Sequence, residues 1–208
     1  MTEAGFTNAF YSAAMSLVLA SMPFFVKYTL AIPNSQSTFL FAAVLLIAIG
    51  CVAIWAGWVR KYALVPVWRA ALVALTLAFF PLYFANSLVT AMVGSALVGF
   101  GFAGVIVTMD LVGAKIMDED TLKHNVRREG IISNALGFMN RLNGMFTSSA
   151  FYLVGALFGF QSGLNPGNAP DQAARFLLTV FPPVLMLISL AFSFGVDFKS
   201  ETRSKTSL

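Results

Sequence analysis

From Ser37 to Val59 the chain runs without one charged side chain, and comparable apolar runs recur along most of its length. That feature decides the solvent before any motif is considered. Hydrocarbon offers no partners to backbone N–H and C=O groups, so each run must satisfy its own as a helix of roughly 20 residues. Composition agrees: 58% of residues are hydrophobic and 11% charged, against about 25% charged in a soluble domain. The expected fold is an all-α integral membrane protein.

Six spans are expected, at Phe6 to Ile32, Ser37 to Val59, Leu64 to Phe84, Ser87 to Lys115, Gly130 to Phe160 and Ala173 to Val196. They form one transmembrane unit over residues 1–198, with a polar tail at 199–208. The breaks carry turn chemistry: "IPNSQS", "VRKYALVPVWR" and "QSGLNPGNAPDQ" supply Pro, Gly, Asn and charge. An even span count puts both termini on one side. Arg60, Lys61, Arg69, Lys115, Lys123, Arg127, Arg128, Lys199, Arg203 and Lys205 fall there, and only Lys27 and Arg175 fall opposite. By the positive-inside rule that side is cytoplasmic; the expected location is the cell's inner (plasma) membrane, with a lipid bilayer as the first partner.

These basic residues sit in short connectors and form no basic face or binding motif, so no nucleic-acid partner is expected. Cys51 is the single cysteine, which leaves no disulfide framework and no paired metal-ligand spacing. Glu3 replaces a basic n-region and the first apolar run is too long for a signal peptide, so it reads as a retained span. On the fourth span Ala91, Ser95, Gly99 and Ala103 recur every four residues, with Gly94, Gly101 and Gly104 beside them. Such a stripe lets another helix approach closely. Pro23, Pro81, Pro182 and Pro183 are expected to kink or end their helices.

The charges gather in "AKIMDEDTLKHNVRREG", between the fourth and fifth spans. This segment resembles the connector between the tenth and eleventh helices of the glycoside-pentoside-hexuronide:cation symporters, the melibiose-permease-like branch of the major facilitator superfamily. Ala114, Asp118, Asp120, Arg127, Arg128, Glu129 and Gly130 match in register, "GFMNRLNG" follows at the right distance, and "FFVKYTL" is similar to the end of that family's seventh helix. Lys115, Thr121 and His124-Asn125 depart from the pattern, and Arg141 stands where the family commonly has Lys. The resemblance covers the whole chain as a C-terminal six-helix half. It implies a secondary transporter, a cation-coupled symporter of a sugar or other small polar solute. An N-terminal six-helix half, or self-association, would complete it. The coupling ion, Na+ or H+, would bind in the N-terminal half, and no cofactor is implied.

Within this chain the substrate or coupling candidates are Arg141, Asp110, Asn134, Ser148 and Lys27. A charge inside a span costs roughly 2.5 to 3.5 kcal/mol on insertion scales, so it faces a partner or water. Asn134, Arg141 and Ser148 are seven apart and share one stripe of the fifth span, which can line a cavity. Asn140, Asn143 and Thr147 form a second polar patch that packs against helices. Asp110 and Arg141 lie at matching depths on consecutive spans, which makes an ion pair between them the expectation. Lys27, near the end of the first span, reads as snorkelling to the interface. The gate candidates are Asp118, Asp120, Arg127, Arg128 and Glu129, either as exposed ion pairs worth about 0 to 1 kcal/mol each or as a latch that closes in one state of alternating access. No enzyme is expected, since H-E-x-x-H, a nucleophile elbow and clustered metal ligands are all missing from the sequence. The alternative to a transporter is a six-helix membrane scaffold or binding protein.

Overall fold

The computed structural model describes residues 2–124, 130, 133–134, 137–138, 141, 143–159, 167 and 169–196. Its elements are α1 (Thr2–Phe24), α2 (Ser37–Tyr62), α3 (Leu64–Ala78), α4 (Phe80–Tyr83), α5 (Leu88–His124), α6 (Asn143–Phe158), α7 (Pro170–Thr179) and α8 (Phe181–Ser193). The described residues contain no strand. Five helical stretches are long and apolar enough to cross a membrane: Glu3–Thr29, Ser37–Tyr62, Leu64–Tyr83, Leu88–Asp118 and Pro170–Ser193. They occupy the places of the first four and the sixth expected spans. The fifth, 130 to 160, lies partly outside the described residues; α6 is its longest described portion.

Each proline named from the sequence sits at an interruption. Pro23 precedes a switch from α1 into a π-helical turn, Phe25–Thr29, in which Leu30 N–H reaches back to the Phe25 carbonyl at 3.1 Å. Pro81 opens α4 after a break at Phe79, and Pro182 opens α8 after a break at Val180. The cause is common to all: proline lacks the N–H that would continue the ladder, and its ring crowds the carbonyl of the residue four before it. The third and last spans are thus each two helices end to end.

The core is built around α5, which packs against α2 and α3. Ala91, Ser95 and Ala103 are fully buried, so the small-residue stripe is a packing surface. A Cβ at Gly101 would stand 2.5 Å from Leu75 Cα, and one at Gly99 would stand 3.1 Å from Val44 Cα. Backbone therefore meets backbone at both contacts, which only glycine permits. Trp55 of α2 fills the remaining space beside Gly104, is 1% exposed, and donates its indole N–H to the Phe100 carbonyl at 2.9 Å. Trp68, Leu72 and Leu75 of α3 complete the same layer, all fully buried.

The other side of the bundle is α1 packed against α6, α7 and α8. Ser189 of α8 donates to the Thr7 carbonyl at 2.7 Å, and Phe6 and Phe10 stack on Phe192. Arg69, which the sequence offered only as a topology signal, bonds the carbonyls of Ser193, Phe194 and Val196. These carbonyls lie at and just past the end of α8, where acceptors outnumber backbone donors and a cation meets the negative end of the helix dipole. Arg69 thereby fastens α3 to α8.

The charged connector is not a loop at its start. α5 continues as a helix to His124, past the expected end at Lys115, and Thr121 donates back to the Met117 carbonyl at 2.9 Å.

Candidate functional site

A groove of about 460 Å³ separates the start of α1 from the second half of α5. Ala4 and Asn8 form one wall, residues from Met109 to Met117 form the second, and Ser133 and Gly137 close the third. Asp110 opens into it and is exposed. Asp110 lies eight residues before Asp118, about 12 Å along the helix, so its carboxylate stands well inside the apolar stretch. A charge at such depth is tolerated where it meets water or a polar partner, and the groove is open and wide enough to admit water. Asn8 is on its rim, and Tyr11, half-buried one turn further along α1, lies within electrostatic reach of the Asp110 carboxylate.

The expected pairing of Asp110 with Arg141 is not formed. Both are exposed, and among the described residues no ion pair joins them. The expectation assumed that consecutive helices are neighbours, but α6 packs chiefly on α1 and α7. Asn134, Arg141 and Ser148 are all exposed, whereas Asn143 and Thr147 are half-buried toward the bundle. Asn143 donates its amide to Ser12 Oγ of α1 at 2.7 Å, and Phe146 meets Phe10 at 5.4 Å between centroids. Asn140 lies outside the described residues. Asn143 Oδ1 and Thr147 Oγ1 are buried without a hydrogen-bond partner, which leaves polar capacity at the α1–α6 contact for a water molecule.

The remaining candidates lie elsewhere. Lys27 is exposed in the π-helical turn at the other end of α1, its ammonium 4.8 Å from the centroid of the Tyr28 ring. Asp118 is exposed and Asp120 half-buried in the last turns of α5. Arg127, Arg128 and Glu129 lie outside the described residues, so of the gate candidates only Asp118 and Asp120 are described. The residues that sequence reasoning passed over are Asn8, Tyr11 and Ser12. Their signal was available: polar groups three and four apart on one face of an otherwise apolar span.

The family model for MFS/sugar transport proteins matches residues 6–196. The chain belongs to that family. It is thus a member of the major facilitator superfamily, a superfamily of membrane transporters. No curated protein matches it. In major facilitator transporters the solute site lies at the interface of two helical halves, near the bilayer midplane. A groove bearing an acid at membrane depth, open on one face of a helical bundle, has the chemistry that such a site needs.

Proposed function

We propose that this chain is the C-terminal half of a cation-coupled symporter of the melibiose-permease-like branch, moving a sugar or another small polar solute. An N-terminal six-helix half, or a second copy of the chain, supplies the opposite wall of the cavity. Both termini are cytoplasmic and the membrane is the cell's inner membrane.

The observation that carries this reading is the polar groove around Asp110, in a chain of the sugar-transport family. Asn8, Tyr11 and Ser133 bring hydroxyl and amide groups to the neighbourhood of one carboxylate. Carboxylate and amide oxygens accept from solute hydroxyls, and amide and phenol groups donate to them. Arg141 adds a cation on the exposed stripe with Asn134 and Ser148, and meets the solute or the coupling ion's counter-charge once the second half closes over it. Rocking of the halves exposes the cavity to each side in turn. Asp118 and Asp120, with Arg127, Arg128 and Glu129, close its cytoplasmic end in one state. Na+ or H+ supplies the driving force from a site in the N-terminal half.

The test is uptake of a panel of labelled sugars into proteoliposomes holding the chain with its N-terminal partner half, under a Na+ gradient or a pH gradient. Saturable uptake driven by one gradient, and reduced at least tenfold by Asp110→Asn or Arg141→Gln with the assembly intact, is the expected result. Intact assemblies that bind a partner protein but move no solute under either gradient would make the chain a scaffold instead.

A further inference from the structure

A second groove, of about 540 Å³, lies at the opposite end of the bundle from the Asp110 groove. Tyr83, Phe84, Phe158 and Phe176 give it aromatic walls, and Arg175 and Asn86 give it polarity. Its depth follows from the helices that frame it: one membrane-capable stretch ends at Tyr83 and another begins at Pro170. It therefore sits at the boundary between hydrocarbon and water, the level at which aromatic rings meet lipid headgroups.

Arg175 is the charge of this groove, and its bonded partners are neutral. One guanidinium nitrogen donates to the Tyr83 carbonyl and the other to Asn86 Oδ1 at 2.9 Å, with the Tyr83 ring 5.9 Å away. Asp171, one turn earlier, is exposed, and among the described residues no carboxylate is paired with Arg175. The two bonds hold the guanidinium plane in place and leave N–H donors free. A fixed, half-buried fork with spare donors and an uncompensated charge matches two oxygens of a phosphate.

We propose that this groove binds a phospholipid through its phosphodiester, with Arg175 on the phosphate and the acyl chains against Phe84, Phe158 and Phe176. The walls choose the lipid over free phosphate. A hydrated inorganic dianion gains nothing from aromatic rings and must shed water to approach them. A lipid brings apolar chains to those rings and a singly charged, membrane-anchored phosphate to the cation. Phe84 is 72% exposed, and a bound acyl chain covers it. The occupant touches α4, α7 and the turn before α5 together, and so braces the joint that Arg175 makes between them.

The test uses the purified full chain in neutral detergent. Short-chain phosphatidylglycerol, the matching diacylglycerol and inorganic phosphate are titrated separately, with retained lipid read by native mass spectrometry and the melting temperature read in parallel. Wild type is expected to retain one phosphatidylglycerol and melt several degrees higher with it, and to respond to neither of the other two. Arg175→Gln should weaken phosphatidylglycerol retention at least tenfold, and Arg175→Lys by less. Phe84→Ser, at an exposed position whose loss leaves the fold intact, should also weaken it, and decides the matter if Arg175→Gln does not fold. Equal retention by Phe84→Ser and by a folded Arg175→Gln overturns the proposal. So does equal stabilisation by diacylglycerol, or a response to inorganic phosphate that matches the lipid's.

Discussion

Replacing Gly101 by alanine tests whether the fold rests on backbone contact between α5 and α3. The added methyl would stand 2.5 Å from Leu75 Cα, 2.7 Å from its nitrogen and 2.9 Å from its Cβ. Two of these atoms are backbone, so no rotamer change relieves the clash. The helices must part by about 1 Å to restore ordinary packing distances. That separation loosens Trp68, Leu72 and Leu75, which are fully buried around the contact. Overpacking of this kind costs about 1 to 3 kcal/mol, and an immovable backbone puts it near 3. For a chain of this size the melting temperature falls by roughly 6 to 12 °C. Gly50→Ala is the control, since nothing lies within 4 Å of its Cβ and alanine is the better helix former by about 1 kcal/mol. Tryptophan fluorescence on heating in detergent reads both, because Trp55 and Trp68 lie in this layer. If Gly101→Ala melts with wild type while Gly50→Ala behaves as stated, the claim of backbone contact is refuted.

Arg69→Met keeps the apolar stem but removes every bond to the carbonyls of Ser193, Phe194 and Val196; it should cost about 1.5 to 3 kcal/mol, read in the same melt, and no loss would show that the end of α8 is satisfied by water. Ala63 joins α2 to α3 alone, at φ 80° and ψ 160°, a region essentially reserved for glycine. Ala63→Gly should therefore raise stability by about 1 kcal/mol, and a lower melting temperature would contradict that strain. Trp55→Phe keeps most of the buried ring but leaves the Phe100 carbonyl without its indole donor; a loss of about 1 kcal/mol is expected, and a neutral result would mean that packing alone holds the residue.

Hydropathy made five of the six expected spans legible, because a bilayer leaves an apolar stretch no alternative to helix. The four named prolines marked interruptions for an equally local reason. The small-residue stripe identified α5 as a packed helix, yet nothing in the pattern said that Gly99 would meet α2 and Gly101 would meet α3. Neighbour relations were the weak point. Chain order suggested that Asp110 would find Arg141, whereas α6 packs on α1 through Asn143 and Ser12. The inward and outward faces of α6 were readable from spacing; which helix stood beside each was not. Arg69 and Arg175 were counted as charges on two sides of a membrane. Their bonds to the ends of other helices depend on tertiary contacts more than ninety residues away in sequence.

The central claim is that water and solute meet the bundle along α1, α5 and the stripe through α6, while the outer face of α2 meets lipid. Thiol accessibility tests it in the membrane, on a Cys51→Ala background carrying single cysteines at Gly113, Asn134 or Ser148, or at Leu46 or Ile49. Leu46 and Ile49 are 71% and 73% exposed, so geometry alone does not protect them; only lipid does. A membrane-impermeant maleimide should label the first three positions, more slowly when a transported sugar is present, and leave Leu46→Cys and Ile49→Cys unmodified. Labelling of the two α2 cysteines, with Gly113→Cys, Asn134→Cys and Ser148→Cys inert, would place the aqueous path on the opposite face and contradict the account.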